Sequence, residues 1–302
     1  MKAIVFGGSG FVGSHVADAL SDAGHEVTVA DVVPSQHLRE GQRFVDCDVT
    51  DFEAVRAAVA GHDAVYHFAG FADIGSSRDQ ARETVRLNVE GTVNALEAAR
   101  LADAKRFVFA STIYVVGESG SFYRVSKEAA ELYVEEYERE YGLAYTILRF
   151  GTLYGRRADA RNSIHRYLRQ ALGERKIVAF GTGDELREYI HVADAARLSV
   201  EILADEYANQ HLILTGHHPL RFRELLTLIR EIVGDDVELE VHAEEADEHL
   251  SRLYSGHYAV TPYAFRPRLT RKLVSTTYVD MGEGLIDVLH EIHGESAQQQ
   301  QA

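Results

Sequence analysis

Residues 1–13 read MKAIVFGGSGFVG, a short apolar run that stops on Gly7 and is followed by Gly10 and Gly13. Ile4, Val5 and Phe6 are strand formers and the run ends on turn residues, which predicts a buried parallel strand over 2–6. A tight crossing into a helix over about 11–23 follows. Gly7 lets the chain reverse, Gly10 lets backbone N–H groups approach a pyrophosphate, and Gly13 lets the helix lie against the sheet. The N-terminal end of that helix carries partial positive charge toward such an anion. A turn with no ligand can carry the same glycines, so the motif needs context.

The context comes from the next strand. The β-like run 26–30 ends in Asp31, where a carboxylate can accept both hydroxyls of an adenosine ribose and repel a 2′-phosphate. That combination predicts NAD rather than NADP. Beyond it, strand and helix signals alternate: strand 44–47, helix 52–59, strand 64–68, helix 80–100, strand 106–110, helix 122–141 and strand 144–150. Six βα units predict an α/β fold, a Rossmann-type doubly wound parallel sheet occupying residues 1–153. After Gly155 the rhythm loosens into helix 163–172, strand 177–180, helix 192–204 and strand 211–214. Residues 188–215 are expected to return to the first domain, leaving 154–187 and 216–294 as a smaller C-terminal α+β substrate lobe. The glutamine-rich tail 295–302 cannot bury apolar surface and is expected to be disordered.

With 31 Lys and Arg against 47 Asp and Glu, the net charge of −16 argues against general affinity for nucleic acid or an anionic membrane. An anionic substrate must then be held by local arginines. No apolar stretch approaches the roughly 20 residues that cross a bilayer, and the chain opens directly into its first strand, which predicts a cytoplasmic protein. The lone Cys47 suits a reducing compartment. His217, His218, His290 and His293 lack a third ligand at a convincing spacing, so they are read as surface residues and no metal is expected.

The fifth strand ends in Ala110, Ser111 and Thr112, and the next helix carries Tyr123 and Lys127 four residues apart on one face. The C-terminal edge of such a sheet is where ligands bind. A phenol near an ammonium ion ionises more readily, so Tyr123 is expected to act as general base toward a substrate hydroxyl, with Thr112 orienting the substrate oxygen or passing its proton. Lys127 is also expected to reach the nicotinamide ribose.

These residues stand among eight motifs: GGSGFVG at 7–13, Asp31, CDVTD at 47–51, HFAG at 67–70, LNVEGT at 87–92, STIYVVG at 111–117, YRVSK at 123–127 and REYIHVAD at 187–194. In this order they resemble the extended short-chain dehydrogenase/reductases, and within them the nucleotide-sugar epimerase/dehydratase branch, over the first two thirds of the chain. The resemblance implies Thr112, Tyr123 and Lys127 as catalytic residues. It implies a cofactor site of Gly7, Gly10, Phe11, Val12, Gly13, Asp31, Asp48, Val49, Phe68, Ala69, Gly70, Asn88 and Phe150, together with Tyr123 and Lys127. Arg187 resembles an arginine that grips the nucleotide diphosphate, a role suited to its bidentate fork. The alternative for Arg187 is a surface pair with Glu185 or Glu188. Thr152 replaces an asparagine usual in this branch. Arg266 and Arg268, in the blurred FRPRLTRK stretch, compete for a second phosphate contact. A homodimer through the helices over 83–100 and 125–141, with Leu132, Tyr133 and Glu136 on the seam, is implied as well.

The resemblance also narrows the reaction. Ile113 and Tyr114 stand where 4,6-dehydratases carry an acidic pair, and a glutamate common in decarboxylating relatives is missing from the same stretch. The expectation is a UDP-sugar 4-epimerase that works through a transient 4-keto sugar with bound NAD. The alternatives are an NAD-dependent dehydrogenase or reductase of a small alcohol or another nucleotide-sugar, and a non-catalytic NAD-binding regulator.

Overall fold

The computed structural model describes residues 1–117, 120–242 and 270–299. Two compact units divide the described residues: 1–117, 120–150, 195–214 and 270–273 belong to the first, and 151–194, 215–242 and 274–299 to the second.

The first unit is built on strands β1 (Lys2–Phe6), β2 (Glu26–Asp31), β3 (Arg43–Asp46), β4 (Ala64–His67), β5 (Arg106–Thr112) and β6 (Tyr145–Phe150). With β10 (Gln210–Leu214) and β13 (Thr270–Leu273) they form an eight-stranded sheet ordered β13-β10-β6-β5-β4-β1-β2-β3. Every pairing in it is parallel. Parallel strands need crossovers, and helices α1 (Phe11–Asp22), α2 (Phe52–Val59), α5 (Gly91–Leu101) and α6 (Ser121–Tyr141) supply them. Strand residues alternate faces. Ile4, Phe6, Val65, Phe107 and Phe109 pack with Val55, Ala95, Leu96 and Ala130 of α2, α5 and α6. Tyr66 points the other way, and its hydroxyl donates to the carbonyl of Ser199 at 2.8 Å in α8 (Val192–Glu201). Both faces are therefore covered, which is why β4 and β6 are buried along their whole length.

The helical pattern expected over 80–100 is interrupted. Two short turns, α3 (Ile74–Ser77) and α4 (Ala81–Val85), lead into a π-helical turn over Arg86–Glu90 before α5. Such a turn adds one residue to the helical register and re-aims the side chains within it. Here it presents Asn88 to the loop after β4.

The second unit holds a three-stranded sheet ordered β11-β9-β7, from β7 (Thr152–Tyr154), β9 (Leu186–His191) and β11 (Pro219–Arg221). A two-stranded sheet pairs β8 (Lys176–Phe180) with β12 (Glu238–His242). Its core joins Leu168 and Ala171 of α7 (Ser163–Glu174), Phe222, Leu225 and Ile229 of α9 (Phe222–Val233), and Leu285, Val288 and Ile292 of the helix Met281–Gln299. That last helix corrects the expected disordered tail. It runs into the stretch that begins at residue 295, because Ala297 and the first glutamines are good helix formers continuing a helix already anchored by its apolar face.

Candidate active site

The glycine turn fits a dinucleotide phosphate. Gly7 has φ +72°, and a Cβ there would meet the backbone of Ala69 at 2.6 Å. A Cβ on Gly13 would collide with the carbonyl of Gly7, so α1 can begin against the turn only without one. Gly10 caps α1 with no side-chain hydrogen bond, and the first turn holds no acid. The opening N–H groups, including those of Phe11 and Val12, thus have no capping side chain to satisfy them. Asp31 ends β2 beside this turn: its carboxylate accepts from the N–H of Ser9 at 3.0 Å and of Val33 at 3.3 Å.

The neighbouring loops complete the sheet edge. Asp48 turns its carboxylate into its own loop, accepting from the N–H and hydroxyl of Thr50 at 2.9 and 2.8 Å, and these bonds hold it below the usual carboxylate range. Val49 is buried behind it. Phe68 stacks on Tyr66 and tilts against Phe150, with ring centroids 6.2 and 5.9 Å apart. Phe150 is the register partner of Thr112. Asn88 accepts from the N–H of Phe71 at 2.6 Å and donates to the Phe71 carbonyl and the Ser126 hydroxyl at 3.0 and 2.9 Å. Ser126 donates in turn to the carbonyl of Tyr123 at 2.8 Å. This chain fastens the loop after β4, with Gly70 in it, to the first turns of α6.

Thr112, Tyr123 and Lys127 come together here. The Thr112 oxygen accepts from the N–H of Tyr114 at 3.3 Å, and its hydroxyl lies near enough to the Tyr123 phenol to favour the phenolate. Lys127 is buried; its ammonium donates to the carbonyl of Ala110 at 2.8 Å and lies 4.8 Å from the centre of the Phe109 ring.

The electrostatics differ from expectation. Burial pushes the Tyr123 phenol up to about 12, outweighing the Thr112 hydroxyl, and the nearby Tyr114 phenol adds to the rise. Burial pulls Lys127 down to about 8, opposed by the Glu131 carboxylate one turn away. The ammonium faces Ala110 and Glu131, so desolvation decides the phenol's state in this form of the protein.

In the second unit, Thr152 opens β7 opposite Tyr189 of β9, and Arg187 lies two positions earlier on β9. Arg187 is 3% exposed, with its guanidinium carbon 4.3 Å from the centre of the Phe222 ring and its Nε unpartnered. Neither expected acid pairs with it; Glu185 instead accepts the N–H groups of Thr182 and Gly183. A buried cation without a carboxylate among the described residues is costly to leave unpaired, and an external anion could offset that cost. Arg266 and Arg268 lie outside the described residues.

Reading the sequence did not single out Ser111, Ser126, Glu131 or Arg149. The spacing of Glu131 four residues beyond Lys127 was the available signal, and a carboxylate at that position on a helix is common enough to pass as surface.

Residues 3–214 match the NAD dependent epimerase/dehydratase family. The chain is 27% identical to the UDP-glucose 4-epimerase of Corynebacterium glutamicum, across 89% of this chain and 92% of the relative. It is 28% identical to the dTDP-glucose 4,6-dehydratase of Streptomyces niveus, across 89% of each. The crystal structure of the Thermus thermophilus UDP-glucose 4-epimerase in complex with NAD has the same fold, with a TM-score of 0.79 at 24% identity over 97% of this chain and 99% of that one. The chain thus belongs to the NAD dependent epimerase/dehydratase family, an NAD-dependent enzyme family.

Proposed function

We propose that this protein is a nucleotide-sugar epimerase, acting on a UDP-sugar at C4 through a transient 4-keto sugar. The observation that carries the reading is the placing of Thr112 at the end of β5 beside Tyr123 of α6, with Ile113 and Tyr114 rather than acids directly after Thr112. Tyr123 takes the hydroxyl proton of the substrate and returns it, and Thr112 steadies the same oxygen. The chemistry supplied by bound NAD is reversible hydride acceptance at the sugar carbon. The N–H groups of the glycine turn and of Phe11, Val12 and Gly13 would hold its pyrophosphate, Asp31 its adenosine ribose, and Lys127 its nicotinamide ribose, with Asp48, Val49, Phe68, Ala69, Gly70, Asn88 and Phe150 lining the rest. Arg187 takes the substrate diphosphate, with Thr152 near it on the same sheet. With Ile113 and Tyr114 rather than an acidic pair directly after Thr112, oxidation and re-reduction at one centre is the simplest chemistry the residues support.

The domain division into a cofactor domain and a substrate lobe follows from these roles. A homodimer is part of the proposal, because Phe122, Val125, Leu132 and Tyr133 of α6 stand exposed together with Val85 and Leu101 of the adjoining helices. A cytoplasmic location suits Cys47, which is buried with its thiol pushed up to about 11 by that burial. No helix among the described residues is long and apolar enough to cross a membrane.

The test is incubation with UDP-, GDP-, CDP- and dTDP-sugars plus NAD, following NADH absorbance and sugar configuration by NMR. Interconversion of two UDP-sugar epimers without NADH accumulation supports the proposal. Net NADH formation from an alcohol, or inertness across the panel, replaces it with a dehydrogenase.

A further inference from the structure

A buried polar cluster lies one helical turn beyond Lys127. Glu131 is fully buried, and Arg149 of β6 grips it with Nε at 2.9 Å and Nη2 at 2.6 Å. The remaining Arg149 nitrogen donates to the Thr270 hydroxyl of β13 at 2.7 Å. His211 of β10 lies on the other side, with Nδ1 3.7 Å from Glu131 and Nε2 2.9 Å from Glu135. Ser111 of β5 donates its hydroxyl to Glu131 at 2.6 Å.

An ion pair that served only to join α6 to the sheet would be complete with Arg149, which already satisfies both carboxylate oxygens. The Ser111 bond does something more specific. Ser111 sits between Ala110, whose carbonyl receives the Lys127 ammonium, and Thr112, whose hydroxyl meets the Tyr123 phenol. Glu131 thereby holds the strand end that carries two of the reacting site's polar contacts, from the same helix that carries the other two. It is also the carboxylate whose charge acts on Lys127. The other groups near that ammonium are the Phe109 ring on β5 and the neutral imidazole of His67 on β4.

We propose that Glu131 is a positioning residue of the reaction: clamped by Arg149, it fixes the strand end 110–112 through Ser111 and sets its carboxylate one helical turn from Lys127. The inference rests on the roles proposed above for Thr112, Tyr123 and Lys127.

The chain's five lysines, Lys2, Lys105, Lys127, Lys176 and Lys272, make the test direct. In the full-length protein labelled with [ε-13C]lysine, the Lys127 signal is assigned by its loss in Lys127→Arg and titrated without substrate. Glu131→Gln is expected to lower the Lys127 midpoint by about one pH unit, and the alkaline limb of kcat should move the same way. Should that variant fail to fold, Glu131→Gln with Arg149→Met leaves no unpaired buried charge and carries the same measurement. Ser111→Ala, which leaves the ion pair intact, is expected to cut kcat about tenfold with KM and NAD affinity nearly unchanged. An unmoved Lys127 midpoint, or full kcat in Ser111→Ala, overturns the proposal. The titration needs no turnover, so its failure counts against Glu131 alone, whereas inertness toward every nucleotide-sugar counts against the functional reading.

Discussion

The ammonium of Lys127 donates to the main-chain carbonyl of Ala110 at 2.8 Å, while burial brings its proton affinity down to about 8. A depressed value means the charge is present below about pH 8 and lost as pH rises through it. If this ammonium holds the nicotinamide ribose, NAD affinity should fall about tenfold between pH 7 and 9.5. Calorimetric titration across that range checks it, with Lys127→Met expected to bind weakly and without pH dependence. A wild-type affinity that is flat across pH 8 contradicts the role.

Tyr123 stays protonated in the ligand-free protein, its phenol held up to about 12 by burial. Its use as a base therefore depends on positive charge arriving with the cofactor and on the Thr112 hydroxyl. Tyr123→Phe should lower kcat by about 10³-fold and Thr112→Val by about ten- to a hundredfold. NAD binding should survive in both, which equilibrium dialysis would show.

Arg187 is buried against Phe222 with no acid among the described residues to pair with it. Replacing it with Met should raise the melting temperature of the ligand-free protein, because an uncompensated buried cation is removed. The same change should raise KM for the nucleotide-sugar about ten- to a hundredfold. A variant both less stable and unchanged in KM would show that Arg187 is structural. Arg187→Lys should recover little, since an ammonium cannot reproduce the bidentate fork.

His67 is buried between Phe6, Phe107 and Phe109, and neither ring nitrogen has a hydrogen-bond partner. Burial lowers it to about 3, so the unfolded chain takes up a proton near pH 6.5 that the folded protein refuses. The resulting stability is present above pH 6.5 and lost as pH falls from there toward 3. His67→Leu should flatten that acid loss by about 1.4 kcal/mol per pH unit. Urea melts of both proteins at pH 7, 6 and 5 would reveal it, and parallel acid losses would contradict it.

Much of this architecture was legible in the sequence. Strands β1, β2, β4, β5 and β6 were visible because buried parallel strands are largely apolar runs, and the glycine turn announced the crossing into α1. The placing of Thr112 at the end of β5 and of Tyr123 and Lys127 one turn apart on α6 was legible from helical spacing and strand order. The π-turn that aims Asn88 was not, since one extra residue in a helix leaves no compositional mark. Nor was the phenol's state: the spacing of Tyr123 and Lys127 shows proximity, while the direction of the ammonium toward Ala110 is set by tertiary packing. The Glu131 cluster was hidden for the same reason, because Ser111, Arg149 and His211 meet only once three strands are laid side by side.

The most direct test is conversion of a UDP-sugar with NAD in D2O, read by proton NMR at each sugar carbon. Removal and return of the same hydride at C4 predicts two interconverting epimers with no deuterium on any ring or methyl carbon. Deuterium entering C5 or C6, or a keto sugar accumulating with NADH, would contradict oxidation and re-reduction at a single centre.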